Sequence, residues 1–140
     1  MLPMKNPSDS QIATILKSSK VIAMIGASPN SDKPSHGIMR QLLAKGYNVI
    51  PVNPNETTIL GRPAVASLHD IKEPVDIVNV FRRPEHTPEI AKEAVAIGAK
   101  VLWLQSGIIN EEAAAIAKAG GLTVIMDACI GVLVARYASF

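Results

Sequence analysis

The chain is 140 residues long, 48% apolar and 19% charged, with a formal net charge of +2 at pH 7. That length fits one domain with an ordinary core, and the charge is too small and too scattered for a nucleic-acid protein, since no Lys/Arg cluster exceeds two residues in a row. The single cysteine, Cys129, excludes an intramolecular disulfide and fits a reducing compartment; without an apolar leader or a run long enough to span a bilayer, a cytoplasmic protein with no membrane partner is expected.

Residues 1–7 carry two prolines and read as a loose N-terminal arm. Ser8-Asp9-Ser10-Gln11 is a capping box that starts a helix ending near Ser18, with Ile12, Ile15 and Leu16 on one face. An apolar strand follows at 21–25, then a loop of small and polar residues at 26–35 that contains Pro29 and Pro34. A helix is predicted from about Ser35 to Lys45, stopped by Gly46. Residues 47–52 form a second strand, and Pro51 within it predicts an unpaired or bulged far end.

The stretch 55–74 is less regular: a turn at Gly61-Arg62-Pro63, a short edge strand at Ala64-Val65 and one helical turn at 67–71. A third strand spans 75–81. Thr87-Pro88-Glu89 opens a helix with proline at its first turn, and Gly98 ends it. A fourth strand at 100–104, a helix from Asn110 to Gly120-Gly121, a fifth strand at 122–126 and a short terminal helix complete the chain. Strands alternating with helices predict an α/β domain with a doubly wound parallel sheet of five to six strands, covering residues 1–140. The predicted order puts strand 21–25 at the centre, between strands 47–52 and 75–81. A crevice then opens at the strand carboxyl ends where the winding reverses.

Three segments converge on that crevice: Gly26-Ala27-Ser28, the run from Lys33 through Pro34, Ser35 and His36 to Gly37, and Phe81-Arg82-Arg83. Open backbone N–H groups at the helix start and two arginines suit a phosphate-bearing ligand. Each part has a plainer reading beside it. Gly26 can serve only a tight turn, Arg82 and Arg83 can be surface residues bonding Glu85 or a helix end, and Lys33 can be a solvated loop lysine. The loop also departs from the dinucleotide fingerprint, with Ser28 where a second glycine belongs and Gly37 too far along. The second strand ends in Asn53-Pro54-Asn55, not in the Asp or Glu that would hold the ribose of NAD.

Other candidates carry less. A lone cysteine such as Cys129 is commonly a small buried apolar residue. His36, His69 and His86 lie in separate segments without ligand spacing, so no metal site is expected; His36 reads as structural or capping. Trp103 in the fourth strand reads as core, and Gln105-Ser106-Gly107 after it can reach the ligand from the next loop.

Gly26-Ala27-Ser28, the run from Tyr47 to Asn55, Gly61, the run from Asp76 to Pro84, and the run from Val101 to Gly107 resemble the small stand-alone CoA-binding proteins. These are similar to the N-terminal CoA-binding domain of the succinyl-CoA synthetase alpha subunit and of ADP-forming acyl-CoA synthetases. The resemblance covers about residues 10–137 and implies a Rossmann-like domain with coenzyme A as its cofactor. By position it implies that Gly26, Ala27 and Ser28 approach the CoA phosphates, above Lys33, Pro34, Ser35 and Gly37 at the helix start. Asn53 and Pro54 would border adenine and ribose, and Phe81, Arg82 and Arg83 would flank the pantetheine and phosphate path.

Where family members carry Met-Asp-Arg-Cys followed by lysine and glutamate, this chain has Ala128, Gly131 and Leu133 at the three charged positions. Its apolar segment 130–134 is expected to pack against a second subunit. The expected function is therefore binding of CoA or acyl-CoA, as a sensing or partner-serving module with no catalytic group of its own. The alternatives are an NAD(P)-linked oxidoreductase and an acyl-transfer enzyme with Cys129 as nucleophile.

Overall fold

The strand runs of the sequence fold side by side, because each is apolar on both faces and must be covered from both. The computed structural model describes residues 5–138. Helix α1 (Asp9–Ser18) leads to β1 (Val21–Ile25), α2 (Pro34–Ala44) and β2 (Asn48–Val52). A small hairpin, β3 (Thr58–Ile59) and β4 (Arg62–Pro63), precedes β5 (Ile77–Val80), α3 (Thr87–Ala96), β6 (Val101–Leu104), α4 (Glu111–Ala119), β7 (Thr123–Ile125) and α5 (Ile130–Tyr137). The main sheet is parallel, in the order β2-β1-β5-β6-β7.

Side chains alternate across that sheet. Ala23, Ile25, Val78, Val80, Leu102 and Leu104 face α3 and α4 in one core cluster. Ile22, Met24, Ile77, Val101 and Trp103 face α1, α2 and α5 in the other. Helix α2, which follows β1, and α3, which follows β5, thus cover opposite faces. Since β1 and β5 are neighbours, the winding reverses between them, and their loops part at the carboxyl ends.

The capping box forms as predicted: Gln11 N–H donates to Ser8 Oγ and Ser8 N–H to Gln11 Oε1. Four expectations are corrected. Strand β1 does lie between β2 and β5, but the middle strand of the five is β5. Strand β2 keeps its register through Val52 despite Pro51. The Pro51 carbonyl faces outward and accepts from Val65 N–H at 3.0 Å, so its missing N–H falls on the outer edge, where the main ladder needs none. The strand at Ala64-Val65 is only a single bridge from Val65 to Val52, while the short pairing lies in β3 and β4. Of the predicted loose arm, residues 1–4 lie outside the described residues, and Asn6 is held. Its side chain donates to Met126 O at 2.7 Å and accepts from Met126 N–H at 2.8 Å, taking the place of a neighbouring strand at the β7 edge.

In segment 130–134, expected to pack against a second subunit, three residues pack within the chain. Ile130, Gly131 and Val134 are buried against α1 and α2, and Gln41 Nε2 donates to Gly131 O at 2.7 Å. Only Val132, 52% exposed, stands out of that helix as a large exposed apolar side chain.

At the amino end of the sheet Asp76 ties three segments. Its carboxylate accepts from the N–H groups of Lys20 and Val21 at 2.8 and 3.0 Å and pairs with Lys100 at 3.3 Å. Burial pushes this carboxyl up, but the two backbone donors and the Lys100 ammonium together outweigh it and hold the pKa below the usual aspartate value.

Candidate functional site

A cleft of about 620 Å³ opens at the carboxyl ends of β1, β2 and β5. Ten of the twelve residues singled out in the sequence line it: Gly26, Ala27, Ser28, Lys33, Pro34, Ser35, Asn53, Pro54, Phe81 and Arg82. Sequence reasoning missed Val52 and Asn55, which also line it; both adjoin singled-out residues, but nothing in their side-chain chemistry marked them. Gly37 does not line the cleft: it lies within α2, exposed, with nothing within 4 Å of where a Cβ would stand. Arg83 borders a second pocket alongside.

Gly26 is what lets the walls approach. Its φ is +86°, and a Cβ there would collide with the carbonyl oxygen of Phe81. Both loops are pinned, Gly26 N–H by Val52 O at 3.3 Å and Phe81 N–H by Ile25 O at 2.9 Å. A side chain at position 26 would therefore push backbone against backbone.

The opposite wall is set by asparagine. Asn53 Nδ2 donates to Ala27 O at 2.9 Å, and Asn53 Oδ1 accepts from Asn55 N–H at 2.8 Å. Both polar atoms are engaged in shaping the cleft, so Asn53 clamps the β2 loop to the β1 loop. Within the latter, Ser28 Oγ accepts from Asn30 N–H and Asn30 Oδ1 from Asp32 N–H, local turns that these side chains favour.

The floor is the start of α2. Pro34 occupies its first turn and has no N–H to lose, and the cap residue Lys33 makes no side-chain cap bond. The N–H of His36 turns back to Lys33 O, whereas that of Ser35 has no backbone partner. Ser35 is 4% exposed yet lines the cleft. Lys33, Arg82 and Arg83 are exposed, and none is in an ion pair among the described residues. An open helix start beneath uncompensated cations can hold an anion. His36, though buried, does not line the cleft, and no group of three His, Cys, Asp or Glu among the described residues is placed to hold a metal ion.

The second pocket, about 480 Å³, lies between the α2 start and the loops after β5, β6 and β7. It shares Pro34, Phe81 and Arg82 with the cleft, and its far side includes Gln105, Ile108 and Cys129. Trp103 is fully buried, as expected of core, and its Nε1–H donates to Ala128 O at 2.9 Å, which fixes the segment leading to Cys129. Asp127, with φ +54°, accepts from Gly107 N–H at 2.7 Å and ties the β6 loop to the β7 loop. No helix of the described residues is long and apolar enough to cross a membrane.

Known proteins share this architecture. The uncharacterized protein YneT of Bacillus subtilis (strain 168) is 48% identical over 129 residues, 92% of this chain and 96% of its own. A hypothetical protein from Pyrococcus horikoshii OT3 has a solved structure that superposes with a TM-score of 0.93 at 34% identity, over 99% of this chain and 98% of that one. An ADP-forming acetate–CoA ligase of Archaeoglobus fulgidus is 28% identical over 124 residues; the match covers 81% of this chain but only 18% of the ligase. The profile of the CoA binding domain matches residues 20–135, nearly all of the sheet and both walls of the cleft, and the chain belongs to that CoA-binding domain family.

Proposed function

We propose that this protein binds coenzyme A, free or acylated, in the cleft at the strand carboxyl ends, as a binding or partner-serving module rather than a catalyst. The observation that carries the reading is that Lys33 and Arg82, exposed and in no ion pair among the described residues, line the same cleft as Ser35 at the start of α2, whose N–H has no backbone partner. Phosphates supply the charge and the acceptors those groups lack. Family membership supports CoA over other phosphate ligands. The end of β2 supports it against NAD, because Asn53-Pro54-Asn55 stands there and no carboxylate does to take ribose hydroxyls. Catalysis would need a group poised to react within the cleft, and its lining offers amides, two serine hydroxyls and cations.

Isothermal titration with CoA, 3′-dephospho-CoA and NADPH tests the proposal. CoA is expected to bind, 3′-dephospho-CoA more weakly, and NADPH weakest. Absence of heat with CoA at millimolar concentration, or tighter binding of NADPH, would sink it.

A further inference from the structure

The proposed CoA site leaves the second pocket and its cysteine without a role. Resting on that reading, we infer that this pocket receives the thiol end of the CoA arm and that Cys129 enters a mixed disulfide with it. The pocket adjoins the cleft, with Pro34, Phe81 and Arg82 lining both. A ligand whose phosphates sit at the start of α2 can therefore lay its arm past Phe81 toward Ile108 and Cys129. Cys129 is the one cysteine of the chain, unpaired and partly exposed.

A second observation, independent of the cysteine, points to the same ligand. Gln105 is 4% exposed, and its Oε1 accepts from Ile130 N–H at 2.9 Å. That bond fixes the amide, so Nε2 is the atom left as donor. It has no partner among the described residues, and Gln105 is part of the pocket wall. The fully buried side-chain polar atoms without a partner among the described residues are those of Asn79, so Gln105 Nε2 keeps contact with solvent and stands open to an acceptor that enters from the pocket. The CoA arm carries amide carbonyls ahead of its thiol, and one of them would satisfy it. The position of Cys129 is itself built: Ala128 is held by Trp103 Nε1–H and by Leu104 O, and Ile130 by Gln105, on either side of it.

The step is a thiol–disulfide exchange in which the disulfide of CoA is the oxidant. The Cys129 thiolate attacks one of its sulfurs, a Sγ–S bond to CoA forms and the S–S bond of CoA disulfide breaks. The departing CoA leaves as a thiolate and takes up the proton that Cys129 released. A thiol, free CoA included, reverses the step.

The test gives the reduced full-length protein CoA disulfide or, in parallel, glutathione disulfide, which lacks the nucleotide. Intact-mass spectrometry follows the adduct with time. One CoA per chain is expected, formed at least tenfold faster than the glutathione adduct. Cys129→Ser is expected to give no adduct with either disulfide. Gln105→Glu keeps an acceptor for Ile130 N–H but removes the donor, and is expected to slow the CoA adduct several-fold without slowing the glutathione one. Equal rates from the two disulfides, or no adduct from a protein that binds CoA, would overturn the inference and leave the CoA site standing. A protein that neither binds CoA nor forms the adduct removes both.

Discussion

Replacing Gly26 by alanine tests the construction of the cleft most directly. The residue sits at φ +86°, where an L side chain costs about 1–2 kcal/mol in backbone strain. The added Cβ would also meet the Phe81 carbonyl oxygen and lie 3.0 Å from Phe81 Cβ. Neither partner can swing away as a flexible side-chain end could, because Phe81 N–H is bonded to Ile25 O and Gly26 N–H to Val52 O. Overpacking of that kind costs about 1–3 kcal/mol. The two contributions together come to about 2–5 kcal/mol, a large share of the roughly 5–15 kcal/mol that holds a domain folded.

Urea unfolding followed by circular dichroism reads the first effect, and titration with CoA under native conditions reads the second. Gly26→Ala is expected to lower the unfolding midpoint sharply and to weaken CoA at least tenfold by displacing the β5 loop. Gly37→Ala is the control. It lies in helical backbone with open space where the Cβ would go, so it should stabilise by about 0.5–1 kcal/mol and leave CoA affinity unchanged. A Gly26→Ala protein that unfolds within about 0.5 kcal/mol of the parent and binds CoA equally well would refute the reasoning.

Arg82→Ala and Lys33→Ala should each weaken CoA by about tenfold, the worth of roughly one charge-assisted hydrogen bond, with unchanged unfolding, since neither side chain is in an ion pair among the described residues; raising the salt concentration should shrink the difference, as calorimetry at two ionic strengths would show. Asn79 is fully buried in β5 with neither side-chain polar atom bonded, so Asn79→Leu should stabilise by about 1 kcal/mol, and a fall in Tm would mean that the amide has a partner in the folded protein. Asp76→Ala should destabilise at neutral pH. Because the folded-state pKa is depressed, the contribution of Asp76 is present above the ordinary aspartate range and is lost as pH falls through the folded value. The stability gap between Asp76→Ala and the parent should therefore narrow in acid, and a gap that stays constant down to about pH 2 would show that the carboxylate charge is not what matters.

Much of this protein could be read along the chain. The capping box at Ser8, Pro34 and Pro88 in the first turns of their helices and the apolar strand runs are local signals, and each folds as its chemistry dictates. Most of the cleft lining was legible too, because in a doubly wound sheet the loops after adjacent strands must share one edge, so small residues and cations placed there meet. What misled was local chemistry whose outcome depends on a distant segment. Pro51 breaks nothing because its missing N–H falls on the outer edge, away from β1, where its carbonyl meets Val65 from another part of the chain. Nothing local showed that α1 and α2 would cover Ile130, Gly131 and Val134 while leaving Val132 exposed. Asn6, in a proline-rich arm, is anchored by Met126, 120 residues away.

The sequence by itself determined the α/β alternation, the strand ends and the chemical character of their loops, since propensity, capping and periodicity act over a few residues. The tertiary structure decided which polar groups remain free. Asn53 clamps one loop to another through both of its polar atoms, whereas Ser35 N–H and Gln105 Nε2 have no partner among the described residues. That division depends on which donors and acceptors the folded backbone brings within reach, a long-range property that no short stretch of residues encodes.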